Sequence, residues 1–186
     1  MTTTGQGTTA HLEKVEAPGS MLTHAAAKAL AVLRVSTGFV FLWAFLDKTF
    51  GFGYATPGER AWINGGSPTK GFLSSVEVGP FQNFFHTIAG DTWTNWAFML
   101  GLLGIGIALT AGIGLRVAAG ASAFMMALMW AAEWPLASGS TNPITDYHVI
   151  YALVGIVLAL TYAGHTWGLG RWWAKLPLVQ KNRWLI

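Results

Sequence analysis

WTNWAFMLGLLGIGIALTAGIGLRVAAGASAFMMALMWAA, residues 93–132, runs for forty residues with a single charged side chain, Arg116. A bilayer core of ~30 Å is crossed by ~20 residues of helix. Forty apolar residues divided by one arginine therefore read as two membrane-crossing helices joined by a short turn. Two further apolar runs flank this stretch, at 25–46 and from His148 to about residue 163. Together they predict an all-α integral membrane protein, a four-helix bundle with helices at about 25–46, 93–115, 117–134 and 147–166. Residues 47–92 form a long structured loop between the first two helices. Composition agrees, with 53% of the 186 residues apolar and only 10% charged, which leaves little chain for a separate soluble domain. Residues 1–24, rich in Thr, Gly and small polar side chains, read as a disordered cytoplasmic tail, residues 25–167 as the membrane domain and 168–186 as a basic cytoplasmic tail.

Charges beside the helices sort by sign. Lys14 and Lys28 precede the first helix, Arg116 divides the second from the third, and Arg171, Lys175, Lys181 and Arg183 follow the fourth. In the long loop, Lys48, Arg60 and Lys70 are outnumbered by Asp47, Glu59, Glu77 and Asp91, and the last loop carries Glu133 and Asp146. The positive-inside rule places both termini in the cytoplasm and both acidic loops outside. Trp93, Trp96, Trp130 and Trp134 then belong to an outer aromatic belt, and Trp167, Trp172 and Trp173 to an inner one. The net charge of +3 suits an anionic inner leaflet and implies no nucleic acid.

The chain has no cysteine, so it offers no thiol–disulfide relay, no cysteine-bound iron–sulfur cluster and no covalent haem. His148 and His165 stand seventeen residues apart, ~25 Å along a helix, and do not share a haem. No metal is assigned to the chain. Redox chemistry, where present, runs through a bound organic cofactor, a quinone, a non-covalent haem or a partner subunit.

Small residues at four-residue spacing mark helix contacts: Gly104, Ala108 and Gly112, then Ala119, Ala123, Ala127 and Ala131, then Gly155, Ala159 and Ala163. Ordinary packing accounts for these stripes. Arg34 lies ~9 Å beyond Lys28 along the first helix, where an unpaired guanidinium costs ~2.5 kcal/mol or more. Three readings stand for it: snorkelling to headgroups, structural pairing inside the bundle, or contact with a ligand.

Ionisable groups gather at the opposite end. Asp47 and Lys48 close the first helix, Glu133 and Trp134 the third, and Asp146, Tyr147 and His148 open the fourth. A carboxylate beside an imidazole there can bind a quinone carbonyl or pass a proton, which makes Glu133, Asp146 and His148 the candidate catalytic residues. A plain helix cap at Asp146 and a headgroup anchor at Lys48 are the structural alternatives. In the long loop, Ser67-Pro68 reads as an N-cap followed by proline at N1, and Gly65, Gly66 and Lys70 beside it suggest an anion site or a tight turn. Phe81, Phe84, Phe85 and Ile88 then form a helical apolar stripe.

Several of these residues carry a resemblance. Leu33-Arg34 with Gly38, Phe41 and Leu42, and WAFLDK at 43–48, resemble the first-helix signature of the DoxX family. AWINGGSPTKGFL at 61–73, FMLGLLGIG at 98–106 and NPITDYHVIYAL at 142–153 are similar to its DoxD-type branch. The resemblance spans roughly residues 30–165. It implies a four-helix bundle in the plasma membrane of a prokaryote, acting as the membrane subunit of a thiosulfate:quinone oxidoreductase. Under that reading Arg34, Lys48, Arg60, Gly65, Gly66, Ser67 and Lys70 are the thiosulfate contacts. Trp43, Phe45, Met129 and Trp134 line a quinone slot, with Met125 and Met126 beside them. The rival is a non-catalytic accessory subunit of a respiratory or redox complex, since no side chain in the chain is itself an electron carrier.

Overall fold

The computed structural model describes residues 23–137 and 142–186, which are all-helical with no strand among them. Lys14 and the first 22 residues of the expected N-terminal tail lie outside the described residues. Helix α1 spans His24–Phe50; Thr23 starts it, its Oγ1 accepting from the Ala26 amide at 3.2 Å. Two short helices follow in the loop, α2 (Lys70–Ser74) and α3 (Gln82–Ile88), and then α4 (Thr92–Ala111), α5 (Leu115–Glu133) and α6 (Tyr147–Leu160). Helices α7 (Gly170–Trp173) and α8 (Pro177–Lys181) close the chain.

Three helices, α1, α4 and α5, are long and apolar enough to cross a membrane, while α6, though apolar, has 14 residues. Their outward faces are apolar too: Phe39, Leu100 and Phe124 are each more than half exposed. Soluble monomers do not leave such a perimeter bare, and the chain is a membrane protein.

The expected helix boundaries need correction at the turns. The second helix stops at Ala111, not 115, because Gly112 and Gly114 are both left-handed (φ 75° and 57°); Leu115 and Arg116 already belong to the first turn of α5. The fourth ends at Leu160 instead of 166, since Tyr162 adopts φ 50°, a value no helix interior tolerates. At ~21 Å it falls short of a bilayer core on its own. The first runs four residues beyond 46 and ends on left-handed Gly51, whose amide bonds the Asp47 carbonyl at 2.8 Å.

Packing is antiparallel in sequence order. Gly38 of α1 abuts Leu109 and Thr110 of α4, and Gly106 abuts Leu42. On α4 the close approach is made by Gly106, whereas Gly104, in the expected stripe, meets nothing within 4 Å. Gly155 of α6 lies against Ala119 and Ser122 of α5, and Gly101 lets Met125 join the two pairs. Phe41, Met99, Ile105, Met126 and Leu158 are among the buried residues of the shared core.

This up-and-down course leaves the molecule with two unlike ends. One, the basic end, has the start of α1, the α4–α5 turn and the exit of α6. There residues 168–186 fold back as helices, so they are not an extended tail: the Arg116 amide bonds the Ile186 carbonyl at 3.1 Å, and Trp173 Nε1 bonds that of Leu185 at 2.7 Å. At the other, the loop end, α2 and α3 cover the end of α5 through a small core of Leu73, Val76, Phe85 and Ala132. Of the expected aromatic stripe, Phe85 and Ile88 pack inward while Phe81 and Phe84 stay exposed. Thr69 holds the N-cap position of α2 without a side-chain cap bond, and Ser67, two residues earlier, supplies the bond instead, its Oγ accepting from the Lys70 amide at 3.2 Å.

Candidate functional site

At the loop end, α5 finishes and α6 begins side by side. Asp146 is the N-cap of α6, and its Oδ1 accepts from the amides of His148 (3.0 Å) and Val149 (3.2 Å). Its other oxygen, Oδ2, lies 2.8 Å from His148 Nδ1. One carboxylate therefore both starts the helix and orients the imidazole. Burial pushes the Asp146 carboxyl up, but the bonds from the His148 ring and from the Val149 and His148 amides outweigh it and hold the group below the ordinary carboxylate range. His148 is 0% exposed, and its Nε2 has no hydrogen-bond partner.

Glu133 is the last residue of α5, and Tyr147 Oη donates to its Oε1 at 2.7 Å. One ligating atom from each of Glu133, Asp146 and His148 lies within 4.8 Å of the other two. The structure thus brings together the three residues proposed for catalysis, and adds Tyr147, whose hydroxyl the sequence reading left without a role. Its position directly before His148 on α6 was the available signal. Beside the cluster is an open cavity of about 540 Å³, lined by Phe72, Val76, Glu77, Ala132, Glu133 and Ala137 among others. Of the cluster only Glu133 lines that cavity, with the Tyr147 hydroxyl and the His148 imidazole behind it; together a carboxylate, a phenol and an imidazole can donate to and accept from a carbonyl or hydroxyl. The same set, one nitrogen and two carboxylate oxygens, is also a metal-ligand set.

The expected anion contacts do not join this cluster. The Gly65 and Gly66 amides are spent on the carbonyls of Trp62 (3.1 Å) and Ala61 (3.0 Å). Ser67 Oγ donates to Asn95 Oδ1 at 2.9 Å, so these three residues form a turn pinned to α4 and present no amide nest. Asn95 is the residue that sequence reasoning missed; a buried amide one turn into an apolar helix was its only sign. Lys48 places its Nζ 5.8 Å from the centroid of the Phe98 ring, against α4. Arg60 and Lys70 are exposed on the loop.

Arg34 is corrected from a substrate contact to a structural staple. It is 0% exposed, and all of its guanidinium N–H groups go to backbone carbonyls. Nε bonds Ala163 (3.2 Å), Nη1 bonds Leu109 and Thr110, and Nη2 bonds Thr166 (3.4 Å) and Trp167 (2.9 Å). A guanidinium has five N–H donors. None remains for a ligand.

The residues assigned to a quinone slot are also dispersed. Trp43 stacks on Phe52 at 5.7 Å and meets Tyr54 edge-on, on a side of α1 shared with exposed Phe39. Phe45 and Met129 pack against the core. Trp134, left-handed at φ 39°, caps α5 against Trp130 and Gly79. None of the four lines the cavity beside Glu133. Comparison of the chain with protein-family models, with curated proteins and with solved structures gave no match.

Proposed function

We propose that the chain is a DoxX-like membrane protein of the DoxD type, a four-helix bundle in which α6 and its flanking turns complete the fourth crossing. In this reading it serves as the membrane subunit of a thiosulfate:quinone oxidoreductase, with both termini in the cytoplasm of a prokaryote. The quinone headgroup is held at the loop end, on the outer side, by Glu133, Tyr147, Asp146 and His148. One observation supports this above the others: a fully buried imidazole, clamped by Asp146, next to a Glu133–Tyr147 pair whose Glu133 lines an open cavity. Quinone carbonyls accept and hydroquinone hydroxyls donate, and the cluster offers partners for both. With Arg34 and the loop amides already committed, thiosulfate is oxidised on a partner subunit, and this chain receives the electrons through its quinone.

The test is thiosulfate-dependent quinone reduction by the complex purified in mild detergent, with quinone retention measured in parallel. His148→Ala and Glu133→Gln are expected to lower quinone retention and turnover at least ~10-fold while leaving insertion intact. Wild-type protein that neither retains nor reduces quinone overturns the reading. The accessory-subunit reading then takes its place, favoured by the full engagement of Arg34, the one fully buried cation among the described residues, which leaves it no donor for an anionic substrate.

A further inference from the structure

We propose that Glu133, Asp146 and His148 form a binding site for a divalent first-row transition-metal ion, independent of any quinone. The sequence reading assigned no metal to the chain, and within the sequence a loop separates residue 133 from 146 and 148. The fold removes that separation. Asp146 and His148 are both buried at the start of α6, and Glu133 reaches them from the end of α5. Ligands ~2.1 Å from a tetrahedral ion stand ~3.4 Å apart. A set already inside 4.8 Å closes on an ion by rotation of the Glu133 side chain, the member that is only half-buried.

Two independent features point to a cation. First, the cluster holds two carboxylates, yet the one ion pair among the described residues is Asp146 with His148 itself, and no lysine or arginine neutralises Glu133. Uncompensated negative charge at the edge of an apolar bundle is costly, and a bound cation offsets it. Second, the completely buried His148 holds its Nδ1 2.8 Å from Asp146 Oδ2, so a ring nitrogen and a carboxylate oxygen already face each other and can widen onto one ion, while Nε2, turned away from Asp146 and without a partner, is left to carry the ring proton. Glu133 has likewise only its Oε1 engaged, by Tyr147, among the described residues.

Ligand chemistry narrows the ion. One imidazole and two carboxylates with no thiolate suit Zn²⁺, Mn²⁺ or Fe²⁺, with water completing the shell, and exclude the soft thiolate sites, since the chain has no cysteine. Entry is through the cavity that Glu133 lines. Binding needs an unprotonated ring nitrogen, so the neutral imidazole keeps its one proton on the nitrogen that does not ligate.

The full chain, stripped with chelator in detergent and free of quinone and thiosulfate, is titrated with Co²⁺ and then with Zn²⁺ as competitor. The expected result is a saturable visible d–d spectrum for one bound ion, removed by Zn²⁺. Glu133→Gln and His148→Ala are each expected to weaken Co²⁺ binding more than ~10-fold. Tyr147→Phe, which keeps all three ligands, is expected to retain the spectrum. Glu133→Gln changes a half-buried helix-end residue and keeps the fold, which thermal unfolding checks alongside. Absence of the spectrum in wild-type protein, or its persistence unchanged in Glu133→Gln, overturns the proposal. Because quinone is omitted, a negative result here leaves the redox reading standing, and a failure of quinone binding leaves this site standing.

Discussion

A buried arginine with no carboxylate partner is stable at Arg34 because its five hydrogen bonds all end on carbonyls, and two of these, Leu109 and Thr110, are in the last turn of α4. The last carbonyls of a helix have no intrahelical donor and carry the negative end of its dipole. The guanidinium satisfies both at once, and it ties α1 to the α4 end and to the segment that leaves α6. Gly112 makes room for it: a Cβ there meets Gly164 Cα at 2.8 Å and Arg34 Nη1 at 2.9 Å, on a backbone already at φ +75°. Arg34→Leu strands five carbonyls at ~1–3 kcal/mol for each that finds no water. Arg34→Lys keeps the charge but has only three donors. Thermal unfolding in detergent is therefore expected to rank wild type above lysine and lysine above leucine, and equal midpoints for all three contradict the staple.

Among the elements, the segment between α1 and α4 is held by a few side-chain clamps. Asp47, 1% exposed, accepts from the Ala55 amide at 2.9 Å and turns the chain as it leaves α1. Asn95 does the larger share. Its Oδ1 accepts from Ser67 Oγ, the Thr69 amide and Thr69 Oγ1 (2.7 Å), and its Nδ2 donates to the Gly90 carbonyl at 3.2 Å. Both the approach to α2 and the exit from α3 thus hang on one side chain in the first turn of α4. Asn95→Ala removes those bonds and leaves buried donors unpaired, a loss of ~2–4 kcal/mol. Limited proteolysis is expected to cut the segment 58–91 faster in that variant, while Asn95→Asp, which keeps the acceptor oxygen, stays closer to wild type. Cleavage at wild-type rate in Asn95→Ala refutes the clamp. That the loop carries structure was legible from its length and from the spacing of Phe85 and Ile88. The clamp was not, because a hydrogen bond between residues 26 and 28 positions apart leaves no periodic trace.

Across the whole molecule, the distribution of charge follows from the antiparallel course of the helices. Lys28, Arg34, Arg116, Arg171, Lys175, Lys181 and Arg183 all fall at the basic end, and Glu133 and Asp146 at the other. A membrane protein so polarised is expected to keep its basic end in the cytoplasm. Reporter fusions after Ile186 should report a cytoplasmic position, and those inserted at Gly53 an external one; the reverse pattern moves the Glu133 cluster to the cytoplasmic side. The sequence alone determined the helical class, the number of apolar segments and the end at which ionisable groups collect, because these depend on local hydrophobicity and charge order, which are additive along a chain. Tertiary structure decided which of those groups have partners. Arg34 became a staple, the Gly65–Ser67 turn became a ligand of Asn95, and Glu133, Asp146 and His148 became one cluster, since hydrogen-bond donors are committed by three-dimensional proximity between helices, a quantity that no spacing within one helix contains.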